Sequence, residues 1–427
     1  VDVLGIGVLR AIRRDPLALF GRLAGTPGGL FSTRIGPVRY VNVSAPGLIE
    51  QLLVGDARSY HKGLALERAR IVLGNGLLTS EGETHRQQAR LIAPAFSRRR
   101  ILSFAPTVSA LIDETTGAWV SGTTVDVAAE MTALTLRVVV ATLLGSTIAR
   151  EEADSVGQAL TALLDDFEWL LTHPLGASRT RLRTPRVRRF LRARDVIGCT
   201  VERLVAERRS SGVVGDDVLS ALVDGSPELL RDEAVTLLVA GHETTASWLT
   251  FAWLALAGNP RCEERLHAEL DWAFRDAPIT LEAVERLPYL AAVLEETLRL
   301  YPPAWGVGRR STADTMLGER AIRAGTVVSA CQHAMHRHPA HWSDPELFWP
   351  ERWLEGERPA RGVYFPFGDG PRRCIAEHFA RAEALLAVAG IARRWRLVPT
   401  TDAPVALDAR ITLRVHGALP MRVERRS

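Results

Sequence analysis

The stretch Phe367-Gly368-Asp369-Gly370-Pro371-Arg372-Arg373-Cys374-Ile375-Ala376 presents one cysteine at the end of a glycine-rich loop. The two glycines and Pro371 specify a tight turn beneath the sulfur and leave room for a flat ligand to approach the backbone. After Cys374, the residues Ile375, Phe379, Leu385, Leu386 and Ala389 recur at helical spacing. That predicts a helix whose N-terminal end lies near the sulfur and favours the thiolate. A lone cysteine is commonly just a small apolar side chain. The spacing Phe-x-x-Gly-x-Arg-x-Cys-x-Ala, with no companion cysteine nearby, points instead to a metal, and a single soft thiolate suits haem iron better than zinc.

A second constellation, Ala240-Gly241-His242-Glu243-Thr244-Thr245, puts a carboxylate and two hydroxyls into the apolar run from Ala234 to Gly258. Such groups are costly in an apolar setting unless they have a use. Thr244 follows Ala240 by four residues, so its hydroxyl can reach the Ala240 carbonyl and loosen the helix. Gly241 removes a side chain at the same place, which is expected to open a groove for a small diatomic ligand. A Glu-Thr pair on a helix is ordinarily a solvated face; beside the cysteine loop it reads as chemistry, with Glu243 relaying protons from water. His242 is expected to pack rather than to ligate.

These motifs resemble those of the cytochrome P-450 monooxygenases, and the resemblance spans both halves of the chain. It implies that Cys374 is the axial ligand of haem b (iron protoporphyrin IX), that Arg372 pairs with a haem propionate and that Phe367 packs against the ligand loop. Ala376 stands where the family usually has glycine, a departure of one methyl group. Glu243 and Thr244 correspond to the family's acid-alcohol pair, with Ala240 and Gly241 beside the oxygen. Arg309, five residues before Asp314, matches a propionate arginine, and Arg310 would point the other way on a strand. His85 matches the other propionate position. Four residues on, Ala89 replaces a usual arginine, for which Arg90 or Arg86 is the substitute.

Glu296 and Arg299 are spaced for an ion pair on one helix face. The resemblance joins them with Arg352, from Phe348-Trp349-Pro350-Glu351-Arg352-Trp353, in a buried network that serves folding and haem retention. By position, the substrate walls fall to Phe167, Leu170, Val239, Ala304, Trp305, Val307 and Leu413, with Ile411 to Leu413 as one segment. Trp305 is read either as a bulky residue over the haem or as core. This mostly apolar set favours a terpenoid, fatty acyl or polyketide-like substrate.

The elements that must hold these residues are mainly helical. Helical periodicity covers 97–127, 128–163, 187–209 and 227–258, and strands are expected at 30–35, 38–43, 326–328 and 411–415. The fold class is mainly α with small β-sheets, the P-450 fold, read as a single domain over residues 1–427 because no linker or composition break divides the chain.

The chain has 427 residues, 47% of them hydrophobic, a net charge of +4 and a pI near 9.1. No nucleic-acid module accompanies that basicity. Its four cysteines show no paired spacing, and Val1-Asp2-Val3-Leu4 lacks a signal-peptide layout, so a cytoplasmic protein without an integral membrane segment is expected. The histidines His333, His336, His338 and His341 lack a fixed ligand spacing and are assigned to the loop before Phe348. Eight arginines between Arg179 and Arg194 read as a solvated face, or alternatively as a membrane or acidic-substrate contact. No flavin or iron-sulfur module follows Cys374, so a separate ferredoxin or flavodoxin-type donor is expected, steered by Arg90, Arg98, Arg99, Arg100 and Arg373. The reading is a haem-thiolate monooxygenase of secondary metabolism that inserts one atom of O2 into a hydrophobic small molecule. A haem sensor without turnover and a cofactor-free helical interaction protein are the competing classes.

Overall fold

The computed structural model describes residues 6–172, 184–211, 217–222, 225–275, 277–356 and 358–426. The chain forms two compact units, each built from two separated stretches: residues 1–68 with 295–374, and residues 69–294 with 375–427. The crossings at 68/69 and 294/295 lie inside the helices Leu64–Leu73 and Pro288–Leu300, and the third, at 374/375, follows the glycine-rich loop.

The first unit is organised around a five-stranded sheet with strand order Leu30–Ile35, Val38–Val43, Val327–Ala330, Val307–Ser311, Tyr60–Lys62. The first two strands form the hairpin expected from sequence, turning at Gly36 (φ 57°) with Leu30 opposite Val43. The third joins parallel to the second, Tyr40 opposite Val327. One face of this sheet packs on a buried apolar cluster that includes Val43, Ile49, Leu52, Tyr60, Val328, Met335 and Phe365. Arg309 alternates inward and Arg310 outward on the fourth strand, as the pleat requires: Arg309 is 5% exposed, while Arg310 reaches Glu67 at 2.8 Å.

The second unit is helical, with its longest helix, Pro227–Ala257, buried along nearly its whole length. Ser226 caps it by accepting from the Leu229 amide at 3.1 Å, and Pro227 occupies the first turn, where no amide is needed. A helix apolar on most sides belongs in a core, and this one packs on the helix Val127–Thr142. The helix Glu377–Ala392 packs on Arg98–Gly117, where Phe379 meets Phe104 edge-on at 6.2 Å. A three-stranded sheet (Thr124–Asp126, Pro420–Arg425, Trp395–Pro399) and the hairpin Leu407–Ala409 with Leu413–Val415 complete this unit.

Two expected helices end earlier than their periodicity suggests. The first stops at Gly117 and gives way to the strand Thr124–Asp126. The second is divided after Thr142, before the helix Arg150–Thr172. Gly145 adopts φ 57°, and a Cβ there would lie 2.5 Å from Asp217 Oδ2, so close packing fixes a break that hydrophobic spacing does not report. No helix among the described residues is long and apolar enough to cross a membrane.

Candidate active site

The thiol loop is built by short-range hydrogen bonds. The Gly368 amide donates to the Phe365 carbonyl at 2.9 Å, Asp369 Oδ1 accepts from the Gly370 amide at 2.7 Å, and the Cys374 amide donates to the Phe367 carbonyl at 3.0 Å. Gly370 sits at φ 69°, and a Cβ there would lie 2.1 Å from the Leu53 carbonyl oxygen, so only glycine fits. The loop leaves Cys374 exposed. The contrast within the same unit is Cys331, which is buried, donates its thiol to the Trp305 carbonyl at 3.2 Å, and is pushed up to about 12 by burial. The following helix begins at Glu377, three residues after Cys374.

Arg372 braces the loop rather than simply facing outward. Its two terminal nitrogens donate to the Ala57 carbonyl at 2.9 Å and the Tyr60 carbonyl at 2.7 Å. Tyr60 begins the short strand that pairs with Arg309–Ser311, so Arg372 and the buried Arg309 flank one strand. A basic, glycine-tight loop that exposes a single thiol fits haem iron and its anionic propionates in donor chemistry, and no cluster of three His, Cys, Asp or Glu among the described residues offers another metal site.

Glu296, Arg299 and Arg352 meet in the first unit. Both oxygens of Glu296 accept from Arg299, each at 2.8 Å, and they also accept from Arg352 Nε at 3.0 Å, the Trp349 amide at 2.9 Å and Trp353 Nε1 at 2.8 Å. Arg299 donates further to the carbonyls of His336, Pro345 and Leu347. Both side chains of the Glu296–Arg299 pair are 0% exposed. Sequence reading missed the two tryptophan donors, although Trp349 and Trp353 flank Arg352 in the motif itself.

In the second unit, Thr244 Oγ1 donates to the Ala240 carbonyl at 2.9 Å, the contact its spacing predicted. His242 is buried against the Leu238 carbonyl at 2.6 Å, and burial pulls it down to about 4, which keeps the ring neutral. A Cβ on Gly241 would meet Val139 Cγ2 at 3.0 Å, so its missing side chain serves the close approach of the helix Val127–Thr142. Glu243 accepts from Thr412 Oγ1 at 2.7 Å and lies 3.8 Å from Arg414 Nη1. Burial holds its carboxyl above the usual range, against the lowering effect of Thr412 and Arg414. Sequence reading took Thr412 as part of a pocket wall and did not single out Arg414; the polar threonine inside that segment was the available signal for a contact with Glu243.

His85 Nδ1 lies 3.2 Å from the Leu77 carbonyl. Arg86 pairs with Glu83 at 2.6 Å on the surface, while Arg90, one turn further on, is exposed. Phe167, Val239 and Leu413 are buried in the second unit; the side chain of Leu170 lies outside the described residues. In the first unit Ala304 is exposed and Val307 half-buried. Trp305 is partly buried and packs on Phe20, ring centroids 5.8 Å apart, against a cluster with Cys331 and Ala334. Of the arginine run, residues 179–183 lie outside the described residues, and Arg186 and Arg189 both grip the buried Asp166, so part of it ties two helices together. Among the other expected groups, His336 Nε2 accepts from the Phe365 amide at 3.0 Å and Arg98 pairs with Glu285.

The sequence model of the family described as Cytochrome P450 matches residues 3–419. The chain belongs to the cytochrome P450 family. This P450 is 38% identical over 406 residues to cyclooctat-9-en-7-ol 5-monooxygenase of Streptomyces melanosporofaciens, an alignment covering 92% of this chain and 88% of that protein. It is 32% identical to pentalenene oxygenase of Streptomyces avermitilis, covering 97% and 96%. A crystal structure of the cytochrome P450DA haem domain superposes with a TM-score of 0.87 at 28% identity, covering 98% of this chain and 95% of that one. The mainly α fold with small sheets is the P450 fold, the cofactor is haem and the activity is that of a P450 monooxygenase acting on a small molecule.

Proposed function

We propose that this P450 oxygenates a terpenoid in secondary metabolism, as a cytoplasmic protein that carries haem b on Cys374 and takes electrons from a separate ferredoxin or flavodoxin-type donor. The observation that carries the reading is that two relatives aligned over most of the chain are named for oxygenating cyclooctat-9-en-7-ol and pentalenene. The apolar character of Phe167, Val239, Val307 and Leu413 supports a hydrophobic substrate over a charged one.

Haem bound through the Cys374 thiolate would supply the reduction of O2 and the transfer of one oxygen atom to the substrate. The protein's own contribution is positional and protonic. The loop from Phe365 to Cys374 fixes the sulfur, and Arg372 ties that loop to the backbone at Ala57 and Tyr60. Arg372, Arg309 and His85 are assigned to the propionates. The Thr244 proton is committed to the Ala240 carbonyl, so its oxygen is left to accept a hydrogen bond. Glu243, its carboxyl raised by burial, can hold a proton and release it. Glu296, Arg299 and Arg352 support the fold and haem retention.

The experiment is a substrate screen with the haem-loaded full chain, a surrogate ferredoxin and its reductase. Cyclic terpene hydrocarbons and alcohols are compared with fatty acids and macrolactones under labelled O2. A terpenoid that shifts the haem spin state and gains one labelled oxygen atom is the expected result. Turnover of fatty acids or macrolactones alone would overturn the terpenoid assignment. The carbon monoxide difference spectrum of Cys374→Ser tests the ligand: the red-shifted Soret band of the wild type should be lost, and its survival would remove Cys374 from the role.

A further inference from the structure

The carboxyl of Glu243 is gripped from a distant part of the same unit. Thr412 and Arg414 lie at the end of the hairpin Leu407–Ala409 with Leu413–Val415, in which Asp408 pairs across from Arg414. The fully buried Leu413 between them anchors the hairpin and turns its two neighbours to the other face. Thr412 Oγ1 donates to Glu243 Oε1 at 2.7 Å. Arg414 reaches the same oxygen only at 3.8 Å through Nη1, because its Nη2 is already engaged by Asp165 and by Asp408 at 3.2 Å. Arg410 braces both of those carboxylates, with Nη1 3.4 Å from Asp165 and Nε 2.7 Å from Asp408.

Among the described residues of this cluster, three carboxyls (Glu243, Asp165, Asp408) face two guanidinium groups (Arg410, Arg414). Of the neighbouring charged groups, Asp166 turns to Arg186 and Arg189, and His242 is neutral against Leu238. Glu243 is the least directly paired of the three: it is 14% exposed and has Arg414 only at 3.8 Å, whereas Asp165 and Asp408 each lie against both guanidinium groups, and burial holds the Glu243 carboxyl above its usual range. The solvent edge lies at Asp165 and Arg410, 28% and 32% exposed, where a proton can be restored from water.

We propose that Thr412 and Arg414 are positioning residues for Glu243, and that Asp165 and Asp408 hold the Arg414 guanidinium off its carboxyl so that Glu243 can alternate between protonated and ionised forms. The inference rests on the reading of Glu243 as the proton-delivering acid. Thr412 orients the carboxyl and favours the ionised form. Asp165 works in the opposite direction, by its own charge and by occupying Arg414.

The test is an infrared pH titration of the Glu243 carboxyl stretch in the haem-loaded full chain, identified by subtraction of Glu243→Gln, for wild type, Thr412→Val and Asp165→Asn. Thr412→Val should raise the titration midpoint, and Asp165→Asn should lower it as Arg414 closes on Glu243, each by about tenfold in acid constant, or one pH unit. Unmoved midpoints, or midpoints moving in the same direction, overturn the proposal, since a merely structural role for the hairpin gives no opposite signs. The pH profile of product formation separates the underlying reading: opposite infrared shifts that the profile follows support both assignments. Opposite shifts with an unmoved profile support the positioning contact and overturn Glu243 as the proton donor.

Discussion

Replacing Glu296 by alanine should cost about 3–5 kcal/mol, the range for breaking a buried ion pair by removing one partner. The upper part of that range applies because Glu296 takes five hydrogen bonds, from Arg299 twice, Arg352, the Trp349 amide and the Trp353 indole. Its loss strands Arg299 at 0% exposure, with neutral partners in the carbonyls of His336, Pro345 and Leu347 and the Trp342 ring 5.1 Å away. Glu296→Gln keeps the shape but turns an amide donor toward a guanidinium, so it should recover only part of the loss. Native-state hydrogen exchange is the suitable assay, because a cofactor-bound protein of two compact units need not unfold in one step. Amides around Trp349 and His336 should exchange roughly 10²–10⁴ times faster in Glu296→Ala, the factor equivalent to that energy. An effect under about 1 kcal/mol would refute the argument, because it would mean the pair gains little beyond a surface ion pair.

Three further outcomes follow from the same geometry. Thr244→Ala should divert electrons from product while leaving the haem spectrum and thermal midpoint near wild type; unchanged coupling of NAD(P)H use to product would refute the role given to its hydroxyl. Gly241→Ala should destabilise by up to about 2 kcal/mol, overpacking on Val139 outweighing the roughly 1 kcal/mol that alanine gains over glycine inside a helix, with partial rescue in the Gly241→Ala, Val139→Ala double variant; denaturation midpoints showing no rescue would refute the contact. Stability should fall as pH drops from about 6.5, the ordinary histidine value, toward the folded values of about 4 for His242 and about 3 for His336. In that window the unfolded chain takes up protons that the buried rings refuse, at about 1.4 kcal/mol per pH unit for each. His336→Asn should flatten the slope of stability against pH, and an unaltered slope would show that the ring titrates normally.

Sequence alone determined the features whose causes are local. The Phe365–Cys374 loop is legible because Gly368, Gly370 and Pro371 dictate its backbone and hold the cysteine at its end. Thr244 bonds Ala240 because four residues make one helical turn, and Glu296 finds Arg299 for the same reason at a spacing of three. The strands 30–35 and 38–43 follow from alternation around Gly36-Pro37.

Tertiary structure decided what depends on partners far along the chain. The Glu243 carboxyl meets Thr412, 169 residues away, and no periodicity in either segment names the other. Gly241 faces Val139, Trp305 joins Phe20, and Arg372 spends its terminal nitrogens on Ala57 and Tyr60, each because packing chose the neighbour. The helix break at Gly145 belongs to the same class: its backbone is set by contact with Asp217, whereas hydrophobic spacing runs on through it. A residue's type and spacing fix which interactions it can make. Which of them it does make is fixed by the groups that folding brings within reach.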